Sequence, residues 1–247
     1  LSTYIKLLLS HLKLLLIRNL NIKFVFGFLF FNVKRQIGQL YFKAKSSKYY
    51  IIKNSLESFI RGHVNSPDTF EIAEFLSIFK EKKFKKGDFF KRPFTVGKEV
   101  AFLSEGAVRM VIYMDNGEEI TGNIVQEKAF ITDVFRLGKA SYNDQEIPSN
   151  LGIICMEDLT LLVTSVDVFT RTLERNLVMN IVIRKFMSKR LFEITQRQIS
   201  FLSGGAKERY KFILEQNPNL LKNWPLRFIA SMIGITPTQL SRIRGEK

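Results

Sequence analysis

Residues 226–244 read LRFIASMIGITPTQLSRIR, and their spacing predicts two short helices joined by a tight turn. Ile229, Ala230 and Ile233 form the inward side of the first helix. Gly234 ends it, because glycine tolerates the left-handed conformation common at a helix terminus. Ile235 fills the corner, Thr236 is a natural N-cap, and Pro237 suits the first helical position, where a missing N–H costs nothing. Leu240 and Ile243 then face back toward the first helix. Two steeply crossing helices need a small residue where they touch, and Ala230 supplies it. The outer face of the second helix is left with Thr238, Ser241 and Arg242, with Thr236 at its N-terminus. Hydroxyl donors and a cation at that end are what a DNA-reading helix presents to base edges. Arg242 suits a bidentate contact with guanine, and the hydroxyls suit phosphates or bases. Arg227, Arg244 and Lys247 are candidates for phosphate contacts.

The remaining chain agrees with a polyanionic partner. Its 247 residues carry 38 Lys and Arg against 23 Asp and Glu, a formal net charge of +15. The length allows one large domain or two smaller ones. The single cysteine, Cys155, excludes an internal disulfide and a four-cysteine metal or iron–sulfur site, and suits a reducing cytoplasm. With His11 and His63 the only imidazoles, no Ser–His–Asp or Cys–His set is plausible, and the chain is not expected to be an enzyme. Gly138-Lys139-Ala140-Ser141 lacks the earlier glycine of a phosphate loop, since position 133 is Asp. The adjacent acids Glu118-Glu119 and Glu157-Asp158 read as solvated charges.

Residues 1–50 differ from the rest: nine Lys and Arg and no acid, leaving 29 bases against all 23 acids afterwards. Charges interrupt every apolar run before a spanning length is reached, and no signal-peptide cleavage site is evident. A membrane-surface helix, a partner-binding helix and translated upstream DNA all fit this composition. The last is favoured, because no methionine precedes Met110.

From Ile51 the pattern is orderly. Ile52, Leu56, Phe59 and Ile60 keep helical spacing, with His63 as a solvated residue in the following break. Ser66-Pro67-Asp68 starts a second helix with Phe70, Ile72, Phe75, Leu76 and Phe79 on its apolar side. The stretch EKKFKKGD (81–88) reads as a charged exit into a turn at Gly87. Across 88–165 glycines fall at turn-like intervals, as in an all-β sandwich or barrel. Ala107–Met114 and Glu118–Val125 flank a hairpin turn at Asp115-Asn116-Gly117. Gly152–Glu157 and Leu159–Val163 form a second pair, with Cys155 a small buried hydrophobe, and Arg136–Asn150 reads as a long loop. Ser165 and Asp167 open a helical region in which Phe169, Leu173, Leu177 and Ile181 keep period. Leu177 to Leu202 predicts one helix of about 26 residues, about 39 Å long. Met187, Leu191, Ile194 and Phe201 form a seam suited to a symmetric dimer, with packing against the β domain as the alternative. Ser203-Gly204-Gly205 is a hinge, Ala206–Gln216 a further helix ended by Asn217-Pro218, and Trp224 a packing residue.

This order of elements, with the tail AKERYKFILEQNPNLL and PLRFIASMIGITPTQLSRIR, resembles the Crp/Fnr family of bacterial transcription regulators over about residues 51–247. The resemblance implies an α+β fold: N-terminal helices, an antiparallel β-roll of the cyclic-nucleotide-binding, jelly-roll type, a long dimerisation helix and a C-terminal helix-turn-helix. Its expected parts are an extension over 1–50, the roll with its helical lead-in over 51–165, the long helix and hinge over 166–203, and the DNA-binding domain over 204–247. It implies a cytoplasmic homodimer, with double-stranded DNA and RNA polymerase as partners, reading near-palindromic half-sites about 34 Å apart. Arg242 matches the family's recognition-helix arginine. Thr238 stands where glutamate is common and Pro237 where some members have arginine, so base preference does not transfer.

Members that bind cyclic AMP carry a Gly-Glu pair, then an Arg followed by a small hydroxyl residue and alanine. Here Thr132-Asp133 and Ser149-Asn150-Leu151 stand in those places. Without the arginine a phosphate is poorly held, so no cyclic AMP response is expected. The missing Cys and His ligands argue against iron–sulfur and haem sensing, and no cofactor is expected. The effector is unspecified. The competing function is a membrane-surface sensor or scaffold, anchored through residues 1–50, without specific DNA binding.

Overall fold

In the computed structural model the described residues are 48–65, 67–126, 128–134 and 147–245. The chain divides into two units, Leu1–Ile51 and Ile52–Lys247; the second carries all the contacts discussed below. Residues 1–47, most of the loop expected at 136–150, and Lys247 lie outside the described residues.

Helix α1 (Lys48–His63) is followed by α2 (Thr69–Ser77), whose N-cap Asp68 accepts from the backbone N–H groups of Phe70 and Glu71. Among the described residues, eight strands then form two four-stranded antiparallel sheets. They are β1 (Lys80–Phe84), β2 (Phe89–Lys91), β3 (Glu99–Leu103), β4 (Ala107–Tyr113), β5 (Glu119–Gln126), β6 (Ala129–Thr132), β7 (Leu151–Cys155) and β8 (Leu159–Ser165). One sheet runs β1-β8-β3-β6 and the other β2-β7-β4-β5. Their inner faces meet in a core built from Phe84, Leu103, Val108, Ile131, Ile153, Leu161 and neighbours. Cys155 lies in that core, and burial pushes its thiol up to about 12, so it stays a neutral, unreactive group.

The expected hairpin is present. Gly117 has φ +83 and donates to Met114 O, while the Asn116 side chain accepts from Glu118 N. A register shift at Met110/Val111 leaves Gly122 as the extra residue of β5, a bulge that recurs below.

Several expectations need correction. The 81–88 stretch is no simple exit: Lys80–Phe84 pairs along β8, from Lys80 opposite Val163 to Phe84 opposite Leu159. It is an edge strand in which only Phe84 is buried, so charge masks the alternation. Phe70 is not on the apolar side of α2 but exposed. His63 is not a loop residue: it ends α1, stacks on Phe59 at 4.3 Å between ring centroids, and its Nδ1 lies 2.7 Å from Phe59 O.

The helical region after β8 is also interrupted. Helix α3 (Val166–Arg175), capped by Ser165, stops at Asn176, and α4 (Leu177–Ser203) starts there. Asn176 Oδ1 accepts from Met179 N, and its Nδ2 donates to Glu71 O and Glu74 Oε2. An asparagine whose side chain caps α4 and is held by α2 competes successfully with a continuous helix. Helix α4 has 27 residues and continues through Arg184 and Lys185. Phe130 fastens α1 to α4 onto the roll, its ring centroid lying 5.2–6.3 Å from those of Phe59, Phe75, Phe79, Phe102, Phe169 and Phe186. After Gly204 and Gly205 come α5 (Ala206–Gln216), a short α6 (Leu220–Asn223), α7 (Leu226–Met232) and α8 (Pro237–Gly245).

Candidate nucleic-acid interface

Helices α7 and α8 form the expected bent pair. Ile229, Ala230, Ile233 and Leu240 are completely buried in one cluster, with Trp224, Phe228 and Ile235 packed against it. Gly234 adopts φ +65, and a Cβ there would sit 3.3 Å from Arg209 Nη1. That left-handed conformation favours glycine, and an added Cβ would also press on the end of the Arg209 side chain. At the start of α8, Thr236 Oγ1 accepts from Gln239 N while Gln239 Oε1 accepts from Thr236 N. This is a reciprocal capping box, worth about 1 kcal/mol. Its second member, Gln239, follows from the Thr-x-x-Gln spacing, although Thr236 alone suggests only the cap.

The candidate DNA-contacting residues separate into three groups. Thr238, Ser241, Arg242 and Arg244 are exposed on α8. Thr236 is exposed too, but its hydroxyl is engaged by Gln239. Arg227 lies on α7, exposed, with its guanidinium 5.0 Å from the Phe228 ring centroid. It lines a cleft of about 440 Å³ with Arg109, Glu119, Thr121, Phe228 and Ser231.

That cleft marks where the helical pair meets the roll, a contact invisible to local sequence reading. Ala107 of β4 and Ile124 of β5 belong to the same apolar cluster as Ile229 and Leu240. Thr121 N donates to Ser231 Oγ at 2.9 Å. Arg109 is buried, donates to Glu119 Oε2 at 2.7 Å, and holds its guanidinium 4.1 Å from the Phe228 ring centroid. A lone arginine inside the apolar strand AVRMVIY was the available signal for this contact.

Inside the roll, the two positions that depart from the cyclic-nucleotide pattern are joined to each other. Ser149 Oγ donates to Asp133 Oδ2 at 2.7 Å. Lys91 Nζ lies 3.2 Å from Asp133 Oδ2 and donates to Ser149 Oγ, Ser149 O and Leu151 O at 2.6, 3.0 and 2.6 Å. The Lys91 and Asp133 side chains are 4% and 1% exposed. Burial lowers the Lys91 pKa from its ordinary value, and the Asp133 charge opposes that shift. An ammonium has three N–H groups, and four protein oxygens surround this one. Its donors are therefore spent on the protein. Gly97 makes room for the arrangement, since a Cβ there would lie 2.3 Å from Asp133 Cβ.

No family model and no curated protein matches the chain. Solved structures do. The c-di-GMP-responsive global regulator CLP of Xanthomonas campestris is 13% identical, with a TM-score of 0.55 over 72% of this chain and 91% of its own. A mutant of CooA from Carboxydothermus hydrogenoformans is 17% identical, with a TM-score of 0.56 over 70% and 78%. A transcriptional regulator of the crp/fnr family from Eubacterium rectale is 15% identical, with a TM-score of 0.52 over 72% and 82%. The chain has the Crp/Fnr fold. In that fold the β-roll, α4 and the helix-turn-helix of this chain stand in the expected order. Among the described residues, no helix is long and apolar enough to cross a membrane, and no group of three or more His, Cys, Asp or Glu could hold a metal ion.

Proposed function

We propose that this chain is a sequence-specific DNA-binding transcription regulator, working as a homodimer in the cytoplasm. The observation that carries this reading is the helical pair itself: a buried apolar inner side with Thr238, Ser241, Arg242 and Arg244 exposed along α8. Residues 51–247 carry 29 Lys and Arg against 23 Asp and Glu, an excess that favours a polyanion. Dimerisation is supported by α4, where Met187, Leu191, Ile194 and Phe201 are 48%, 66%, 56% and 37% exposed. These side chains repeat at heptad-like intervals and suit an equivalent stripe on a second copy. RNA polymerase is the natural further partner of such a regulator.

A binding site selected from random duplexes provides the test. Arg242→Ala should weaken binding to it by about 1–3 kcal/mol and relax preference at one base pair per half-site. Arg244→Ala should instead lower affinity for all sequences and flatten the salt dependence. If Arg242→Ala binds the selected site as the parent does, Arg242 does not read a base.

The roll is read as a scaffold or as the receptor of something other than cyclic AMP. Calorimetric titration with cyclic AMP should give no binding heat, because Lys91 has no donor left for a phosphate. A micromolar dissociation constant would overturn this reading of the pocket.

A further inference from the structure

Arg197 sits near the end of α4, on the face that Phe186 turns toward the roll. Its Nη1 donates to Gly122 O at 2.6 Å, and its Nη2 donates to Met232 O. One guanidinium therefore ties together the long helix, the β5 bulge and the carboxyl end of the first DNA-binding helix. Each partner is available for a local reason. Gly122 is the extra residue of the bulge, so its carbonyl is turned from the regular ladder. Met232 is the last residue of α7, where a helix leaves its final carbonyls without intrahelical donors. A second arginine completes the arrangement. Arg209 of α5 donates to Ile233 O at 2.9 Å. Phe201 lies beside both guanidiniums, 5.6 Å from Arg197 and 5.0 Å from Arg209.

Covalently, α4 and the DNA-binding helices are joined through Ser203-Gly204-Gly205. Two consecutive glycines restrict the backbone little, so the angle between them must be set by contacts across the joint. A planar fork with two fixed N–H directions defines an angle in a way that an apolar contact does not. We propose that Arg197 is a positioning residue that holds the helix-turn-helix at one orientation on α4, and thereby sets the half-site separation that a dimer accepts. This rests on the DNA-binding and homodimer reading above.

The experiment uses the full chain and a series of duplexes carrying the two selected half-sites, with the spacer lengthened or shortened by single base pairs. The parent should prefer one spacer by about tenfold, a difference the size of one charge-assisted hydrogen bond. Arg197→Ala should bring all spacers to within about threefold of one another, while a changed base inside one half-site is still rejected as before. Arg197→Lys, whose single ammonium lacks the fork, should flatten the spacer series too, and it carries the test if the alanine variant does not fold. A folded variant that keeps the parental spacer preference overturns the proposal, even if it binds every duplex more weakly, since a merely structural role predicts that result. If the parent itself distinguishes no duplex from another, the DNA-binding reading falls, and this proposal falls with it.

Discussion

Replacing Leu191 and Ile194 together by glutamate is expected to turn the protein into a monomer and to lower its affinity for a two-half-site duplex by about 10²–10⁴-fold. Both side chains are more than half exposed on one molecule. In the proposed dimer each would be buried, at about 1.5–3 kcal/mol per aliphatic side chain, and two-fold symmetry would count each substitution twice. Glutamates there would instead face like charges in an apolar seam. Loss of the dimer removes the gain from linking two binding events, which accounts for the size of the drop. Sedimentation equilibrium and anisotropy titration on the same preparation check both halves. A dimer that survives the double substitution would show that another surface holds the copies together. A monomeric variant with undiminished affinity would show that one helix-turn-helix suffices.

Lys91→Met should destabilise the fold by about 3–5 kcal/mol, the usual cost of leaving one buried charge without its partner. The substitution takes the ammonium away from the Asp133 carboxylate, which is 1% exposed and keeps the Ser149 hydroxyl as a donor, and removes a donor from Ser149 O and Leu151 O. Lys91→Met with Asp133→Leu should cost less than the sum of the single changes, because neither buried charge is then left without the opposite one. Urea denaturation of the four proteins of this cycle at pH 7 measures the coupling. Additive losses would mean that the two groups do not interact, and a loss below about 1 kcal/mol for Lys91→Met would mean that water reaches Asp133.

The helix-turn-helix was legible in the sequence because its determinants are local. Ala230, Gly234, Thr236 and Pro237 each act within one turn of their own position, and Gly234 indeed carries the positive φ its role requires. The hairpin at Asp115-Asn116-Gly117 and the long run of α4 were legible for the same reason. Strand β1 was not, since an edge strand with one buried side chain, Phe84, shows no alternation. The break at Asn176 was missed because its side chain takes partners from α2, about a hundred positions earlier. Of the residues named for DNA contact, those on α8 share one exposed helix, whereas Arg227 lines the cleft with Arg109 and Glu119.

From the sequence alone came the order of parts, the apolar faces of the helices, the bent C-terminal pair and the absence of a phosphate-binding arginine at 149–151. The apolar faces and the bent pair follow from backbone preference and periodicity, which act over a few residues, while the missing arginine was read from the family resemblance. The tertiary structure alone decided that Lys91 fills the roll's interior with its own charge, that Phe130 gathers six aromatic rings beneath the helices, and that Arg197 bridges β5 and α7. Each of these joins groups far apart in the chain, and a buried charge or an unshared carbonyl finds its partner by proximity in space, about which spacing along the chain is silent.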